Sequence, residues 1–100
     1  MKEVDINSWN DTILNNPKTV LVDFYAEWCK PCEMIKPLLE QIDKEYTEVE
    51  ICKLNVDNYP QLASKYAIKS IPAIISFKNG QVYRQLVGVQ PKENIIALFK

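Results

Sequence analysis

The sequence contains no histidine, which removes any Ser-His catalytic set and takes the commonest neutral ligand away from a metal site. It has only two glycines, too few for a glycine-rich loop that cradles phosphates. Charge of one sign is also missing. The formal net charge is −1, with acidic and basic residues spread along the chain, so there is no positive field for nucleic acid and no basic face for a membrane. Partners are expected to be chosen by shape rather than by charge. No apolar run approaches the ~20 residues needed to span a bilayer. The stretch Met1 to Asn7 lacks an apolar signal core and a small-residue cleavage site, although a chain trimmed of a leader would read the same. A soluble, cytoplasmic protein is the expectation. Three cysteines, an odd count, argue against a secreted scaffold held by structural disulfides.

What is present is 100 residues, 47% of them apolar, which suits one compact domain spanning residues 1–100 around one core. Nothing demands more than a monomer. Residues 28 to 32 read Trp28-Cys29-Lys30-Pro31-Cys32, at the point where the hydrophobic run Thr19 to Tyr25 gives way to a helical pattern over Pro31 to Tyr46. A thiol at a helix N-terminus sees unpaired backbone N–H groups and the positive end of the helix dipole, and both favour thiolate. The Cys-x-x-Cys spacing can close a disulfide across one turn, and so small a ring restrains the unfolded chain little. The bond is expected to be easily made and broken. In a reducing compartment such a pair would be catalytic, redox-sensing or metal-binding. For zinc, the pair would be half of a site, with only Cys52 left to add, where four ligands are usual.

Around that junction the elements read as follows. Val4 to Ile6 is a short strand, and Asn7 or Ser8 caps a first helix running to about Asn15. Thr19 to Tyr25 is nearly continuous in apolar character, as a central strand covered on both faces would be. Pro31 sits at the start of the next helix, where its missing N–H costs nothing. Met34, Ile35, Leu38, Leu39, Ile42 and Tyr46 follow at helical spacing, and Pro37 is expected to kink the helix. Val49 to Val56 reads as a third strand, and Asp57 to Pro60 turns into a helix ending near Tyr66. Ala73 to Phe77 and Gln81 to Val87 are antiparallel neighbours joined by Lys78-Asn79-Gly80, a strong hairpin signal. Pro91 opens a last short helix through Phe99. The order predicts an α/β architecture: a central mixed sheet of about five strands flanked on both faces by about four helices.

Val22 to Cys32, Lys53-Leu54-Asn55-Val56-Asp57, Ile71-Pro72, Phe77 to Gly80 and Val87-Gly88, taken together, resemble the thioredoxin family over nearly the whole chain, in order and spacing. The resemblance implies the thioredoxin fold and a protein-disulfide reductase. Its redox disulfide is Cys29–Cys32, its substrates are protein disulfides and its electron donor is of the thioredoxin reductase type. It implies no cofactor and no metal. In that scheme Cys29 lies at the lip of the helix, readily reached, and is the nucleophile; Cys32 lies one turn inside and resolves the mixed disulfide.

Other residues carry two readings each. Asp23 is a carboxylate inside an apolar strand, where burial should raise its pKa; it is either an acid that reaches the sheet edge or, as the resemblance implies, a proton relay to Cys32 together with Lys53 or a water. Lys53 by itself is an ordinary lysine alternating along a strand. Trp28 reads as core packing or, by resemblance, as a shield over the disulfide. Ile71-Pro72 on its own predicts a trans bond before a strand; the resemblance implies a cis bond that presents Ile71 to an extended substrate segment. Gly88 permits close approach of that segment or makes a β-bulge. Lys30 and Pro31 complete the docking surface with Trp28. Cys52 is expected to pack as a small hydrophobe.

The chain departs from the family pattern at Lys30, where glycine is commonest, at Glu33, where a basic residue is usual, and at Ala73 in place of threonine. A cation beside Cys29 favours its thiolate and an acid after Cys32 opposes it. The expected net is a weakly oxidising shift within about one pKa unit or ~30 mV.

Overall fold

The structure, a computed structural model, describes residues 1–100. Along the chain run β1 (Lys2–Glu3), a π-helical turn (Asn10–Leu14), β2 (Thr19–Tyr25), α1 (Lys30–Glu45), β3 (Val49–Asn55), α2 (Pro60–Lys65), β4 (Ala73–Lys78), β5 (Gln81–Val87) and α3 (Lys92–Ile96). The five strands form one sheet in the order β1-β3-β2-β4-β5. β3 runs parallel to both β1 and β2, whereas β4 is antiparallel to β2 and to β5. This is the mixed α/β sheet that the pattern of elements predicts, with β2 at its centre.

Because side chains alternate across a strand, β2 sends Val20, Val22 and Phe24 to one face and Leu21 and Asp23 to the other. The first set joins Trp9, Ile13, Cys52, Leu54, Leu62, Ile75 and Phe77 in a core under the π-helical turn and α2. Trp9, Phe24, Tyr66 and Phe77 form an aromatic cluster there, with centroid separations from 5.4 to 6.4 Å. Leu21 joins Ile35, Leu39 and Ile42 of α1, Ile51, Ile74 and Ile95 on the opposite face. Asp23 therefore points to the side of the sheet that α1 covers. The helix keeps its apolar stripe against the sheet and continues through Pro37, with Cys29 as its N-cap.

Three expectations are corrected at the periphery. Val4 to Ile6 is not a strand: pairing with β3 involves Lys2 and Glu3, and Val4 adds one backbone bond to Lys53 at 2.9 Å. The chain then turns, because Ser8 N–H donates to Asp5 Oδ1 at 2.8 Å and Asp5 N–H to Ser8 Oγ at 3.0 Å. That turn occupies the Ser8 side chain, so neither Asn7 nor Ser8 caps a helix, and the helical segment is a short π-turn led by Trp9 with no side-chain cap. Gly88 makes no bulge. It lies just past β5 with φ +84°, and the register shift of the β4–β5 pair falls between Ser76 and Phe77 instead.

Asn79 and Gly80 both have positive φ, 53° and 78°, as a tight hairpin turn requires. A Cβ on Gly80 would stand 2.5 Å from the Leu14 backbone oxygen. Gly80→Ala combines that clash with a left-handed φ and is expected to cost about 2–3 kcal/mol, read by urea denaturation. A loss within experimental error would show that the hairpin shifts freely away from the π-helical turn.

Candidate active site

The N-terminus of α1 is built around its cap. Cys29 has extended backbone angles, its N–H donates to Ala26 O at 3.2 Å, and its Sγ accepts the N–H of Cys32 at 3.2 Å. A sulfur in that position receives one of the free donors of the first turn, which stabilises negative charge on it. Cys29 and Cys32 are joined as a disulfide, with Cα atoms 5.3 Å apart. The expectation that Cys29 is readily reached is corrected: in this oxidised state Cys29 is 3% exposed and Cys32 5%. Ala26, Tyr25, Val56 and Ile71 pack around the pair.

Asp23 is 4% exposed, and its Oδ1 has no hydrogen-bond partner. Burial pushes its pKa up to about 7; the Lys53 ammonium opposes this and Glu3 adds to it. Since β2 is central, the reading of Asp23 as an acid at the sheet edge fails. Asp23 and Cys32 line the same cleft of about 190 Å³, together with Glu3, Tyr25, Lys53 and Glu33. Asp23 and Lys53 are register partners on neighbouring strands.

Trp28 is 69% exposed rather than packed in a core, and its indole Nε1–H donates to Asp57 Oδ2 at 2.8 Å. That bond holds the ring beside a groove lined by Val56, Pro60, Ala63, Ala67, Ile68 and Ile71. Lys30 and Pro31 are exposed at the first turn of α1. The Ile71–Pro72 bond is cis, and Pro72 O accepts the N–H of Gly88 at 2.8 Å. The structure thus brings Trp28, Ile71, Pro72 and Gly88 to one end of the sheet with the cysteine pair. Cys52 lies apart. It is fully buried in the core on the opposite face from Asp23, and burial, with help from Glu50, pushes its thiol up to about 12.

Two contacts at the site escaped the sequence. Asp57 stood out as part of a turn and as the end of the Lys53-to-Asp57 stretch, with no contact assigned to it, yet it anchors Trp28. Glu3 and Tyr25 carry no local sign of the bonds they make to each other, 2.9 and 2.8 Å from the phenol to the two carboxylate oxygens. Those bonds depend on β1 lying across β3 from β2, which only the sheet order reveals.

A family profile described as Thioredoxin matches residues 1–100. Among curated proteins, the chain is 42% identical to a thioredoxin of Rickettsia bellii over 89% of its length and 86% of the relative's. It is 41% identical to a thioredoxin of Streptomyces clavuligerus, covering 96% of the chain and 90% of that protein. Against the chloroplastic M-type thioredoxin of Pisum sativum the identity is 41% over 92% of the chain. The chain spans about half the length of the chloroplastic relatives it matches, 54% in the pea case. No helix is long and apolar enough to cross a membrane.

Proposed function

The chain belongs to the thioredoxin family and its mixed sheet is the thioredoxin fold; from that premise we propose that it is a thiol-disulfide oxidoreductase that reduces protein disulfides. In the reduced form the Cys29 thiolate attacks one sulfur of a substrate disulfide. A Cys29–substrate disulfide forms and the other substrate sulfur leaves as a thiolate that takes a proton from water. The Cys32 thiol passes its proton to the Asp23 carboxylate and attacks Cys29 Sγ. The mixed bond breaks, the second substrate sulfur leaves as a thiolate that takes up the proton held by Asp23 or one from water, and Cys29–Cys32 closes. Two electrons have moved from the dithiol to the substrate. An electron donor of the thioredoxin reductase type then returns two electrons to the pair.

The observation that carries this reading is the N-cap sulfur: Cys29 Sγ accepts the Cys32 N–H and is bonded to Cys32 beside the buried acid. Lys53, from the rim of the cleft, partly offsets the cost of ionising Asp23, and Trp28, Lys30, Pro31, Ile71, Pro72 and Gly88 form the substrate-docking end. An extended substrate segment pairs with the backbone at Ile71, in the manner of strand addition. We place residues 1–100 in the cytoplasm as one monomeric domain; an odd count of cysteines with Cys52 unpaired fits a reducing compartment better than a secreted scaffold held by structural disulfides.

Cys32→Ser is expected to stop the reaction halfway. Incubated with insulin or another disulfide protein, it should accumulate a mixed disulfide on Cys29 that dithiothreitol removes, visible on non-reducing gels and by peptide mapping. No adduct, or an adduct on Cys52, would overturn the proposed order of attack.

A further inference from the structure

Lys53 sits beside Asp23 in the sheet register, yet its ammonium is engaged elsewhere. Nζ pairs with Glu3 Oε1 at 3.6 Å and lies 5.5 Å from the centroid of the Tyr25 ring. The Tyr25 hydroxyl donates to both Glu3 oxygens, at 2.9 and 2.8 Å. Burial first, and then Glu3, push the phenol's pKa up, so it stays a protonated donor. Tyr25 is two residues after Asp23 on β2 and shares its face, while Glu3 comes from β1 and Lys53 from β3 between them. All four side chains line the cleft that holds Cys32.

We infer that Glu3 and Tyr25 form a positioning clamp that holds the Lys53 ammonium at the rim of the cleft and away from the Asp23 carboxyl, leaving Asp23 free to take and return a proton. The inference rests on the thiol-disulfide reading of this cleft and adds two positioning residues to it. The physical ground is the distance and medium dependence of charge interactions. A cation swung against a buried carboxylate would lock it ionised, because the interaction grows as separation and local dielectric fall. An acid locked in the ionised form can accept a proton from Cys32 but accepts it poorly. The charged groups that face Asp23 are Glu3 from β1, Lys53 from β3, Glu27 from the loop after β2, and Glu33 and Lys36 from α1. The amino group of Met1, at the same cleft, pairs with Asp43 at 3.3 Å. Of these, Lys53 and Glu3 are the charges that act on Asp23, in opposite directions.

The test is a carbon-13 NMR titration of the Asp23 carboxyl in the oxidised protein, which requires no turnover. Glu3→Gln is expected to lower the midpoint from its wild-type position near 7 by at least ~0.5 pH unit. Tyr25→Phe, which keeps ring and charge but loosens Glu3, should lower it by less. In a Lys53→Met background the effect of Glu3→Gln should shrink to a fraction, because the clamp then has nothing to hold. Glu3 is half exposed, so Glu3→Gln keeps the fold. Unchanged midpoints in both single variants would overturn the clamp, as would a Glu3→Gln shift that persists in full without Lys53. A wild-type protein inactive on insulin would instead overturn the reductase reading and leave this titration standing.

Discussion

Cys29→Ser should reduce the rate of dithiothreitol-driven insulin precipitation to the dithiothreitol background, a loss of at least ~10²-fold. A serine hydroxyl stays protonated at neutral pH, and an alkoxide is no substitute for sulfur in disulfide exchange. No other residue can take over. Cys32 keeps its sulfur but not the cap position, where Cys29 Sγ receives the first-turn N–H. Cys52 is sealed in the core with its thiol pushed up to about 12, so about one molecule in 10⁵ would carry its thiolate at pH 7. A Cys29→Ser rate within about tenfold of wild type would remove Cys29 as the nucleophile. Wild-type protein that fails to accelerate precipitation at all would remove the reductase itself. Equilibrating the protein with glutathione buffers then places its potential, and a strongly oxidising value would favour an oxidase over a reductant.

The second large effect is on stability and runs through pH. Asp23 holds its proton more tightly in the folded chain, with a pKa raised from 3.8 to about 7 by burial. Between those values the folded state binds more protons than the unfolded state. Its stability therefore falls as pH rises through that window and levels off above it. By pH 8 the ionised buried carboxylate costs about 4 kcal/mol, and about 2–3 kcal/mol of this accrues between pH 5 and pH 8. Asp23→Asn has nearly the same shape and no titration. Urea denaturation should find the variant more stable than wild type at pH 8, with the gap narrowing toward pH 5. Parallel stability curves for the two proteins across that range would mean that water or a cation reaches Asp23 and that its pKa is ordinary. A buried acid retained at such expense fits a group kept for proton transfer rather than for folding.

Much of the frame was legible because its causes are local. The β-branched and aromatic run of β2, the helical spacing of Ile35, Leu39 and Ile42, the proline at the start of α1 and the Asn79-Gly80 turn each express a short-range rule, and each element lies within a residue or so of its expected bounds. The N-terminal segment misleads for a physical reason. Val4 is buried and Ile6 is 45% exposed, so their shared apolar character says nothing about pairing, and the Asp5–Ser8 bonds end the strand early. At the site, the cysteines, Asp23 and Trp28 are marked by chemistry or position. The cis geometry at Pro72 came only from resemblance, since an isolated Ile-Pro reads as trans. The low exposure of Cys29 depends on Val56 and Ile71, residues from the ends of other elements that were marked only through the resemblance.

Because Cys52 faces the core on the far side of the sheet from Asp23, native packing decides which of the three sulfurs may bond. In a denatured chain that protection vanishes: the third thiol recovers ordinary reactivity, with a pKa of about 8.5, and can attack the existing bridge to give scrambled partners. Refolding from urea without a reductant should then trap some chains in mispaired isomers that cannot close the core. Tertiary structure here acts as a proofreader of covalent connectivity, and recovery after unfolding should be fuller when a small thiol is present.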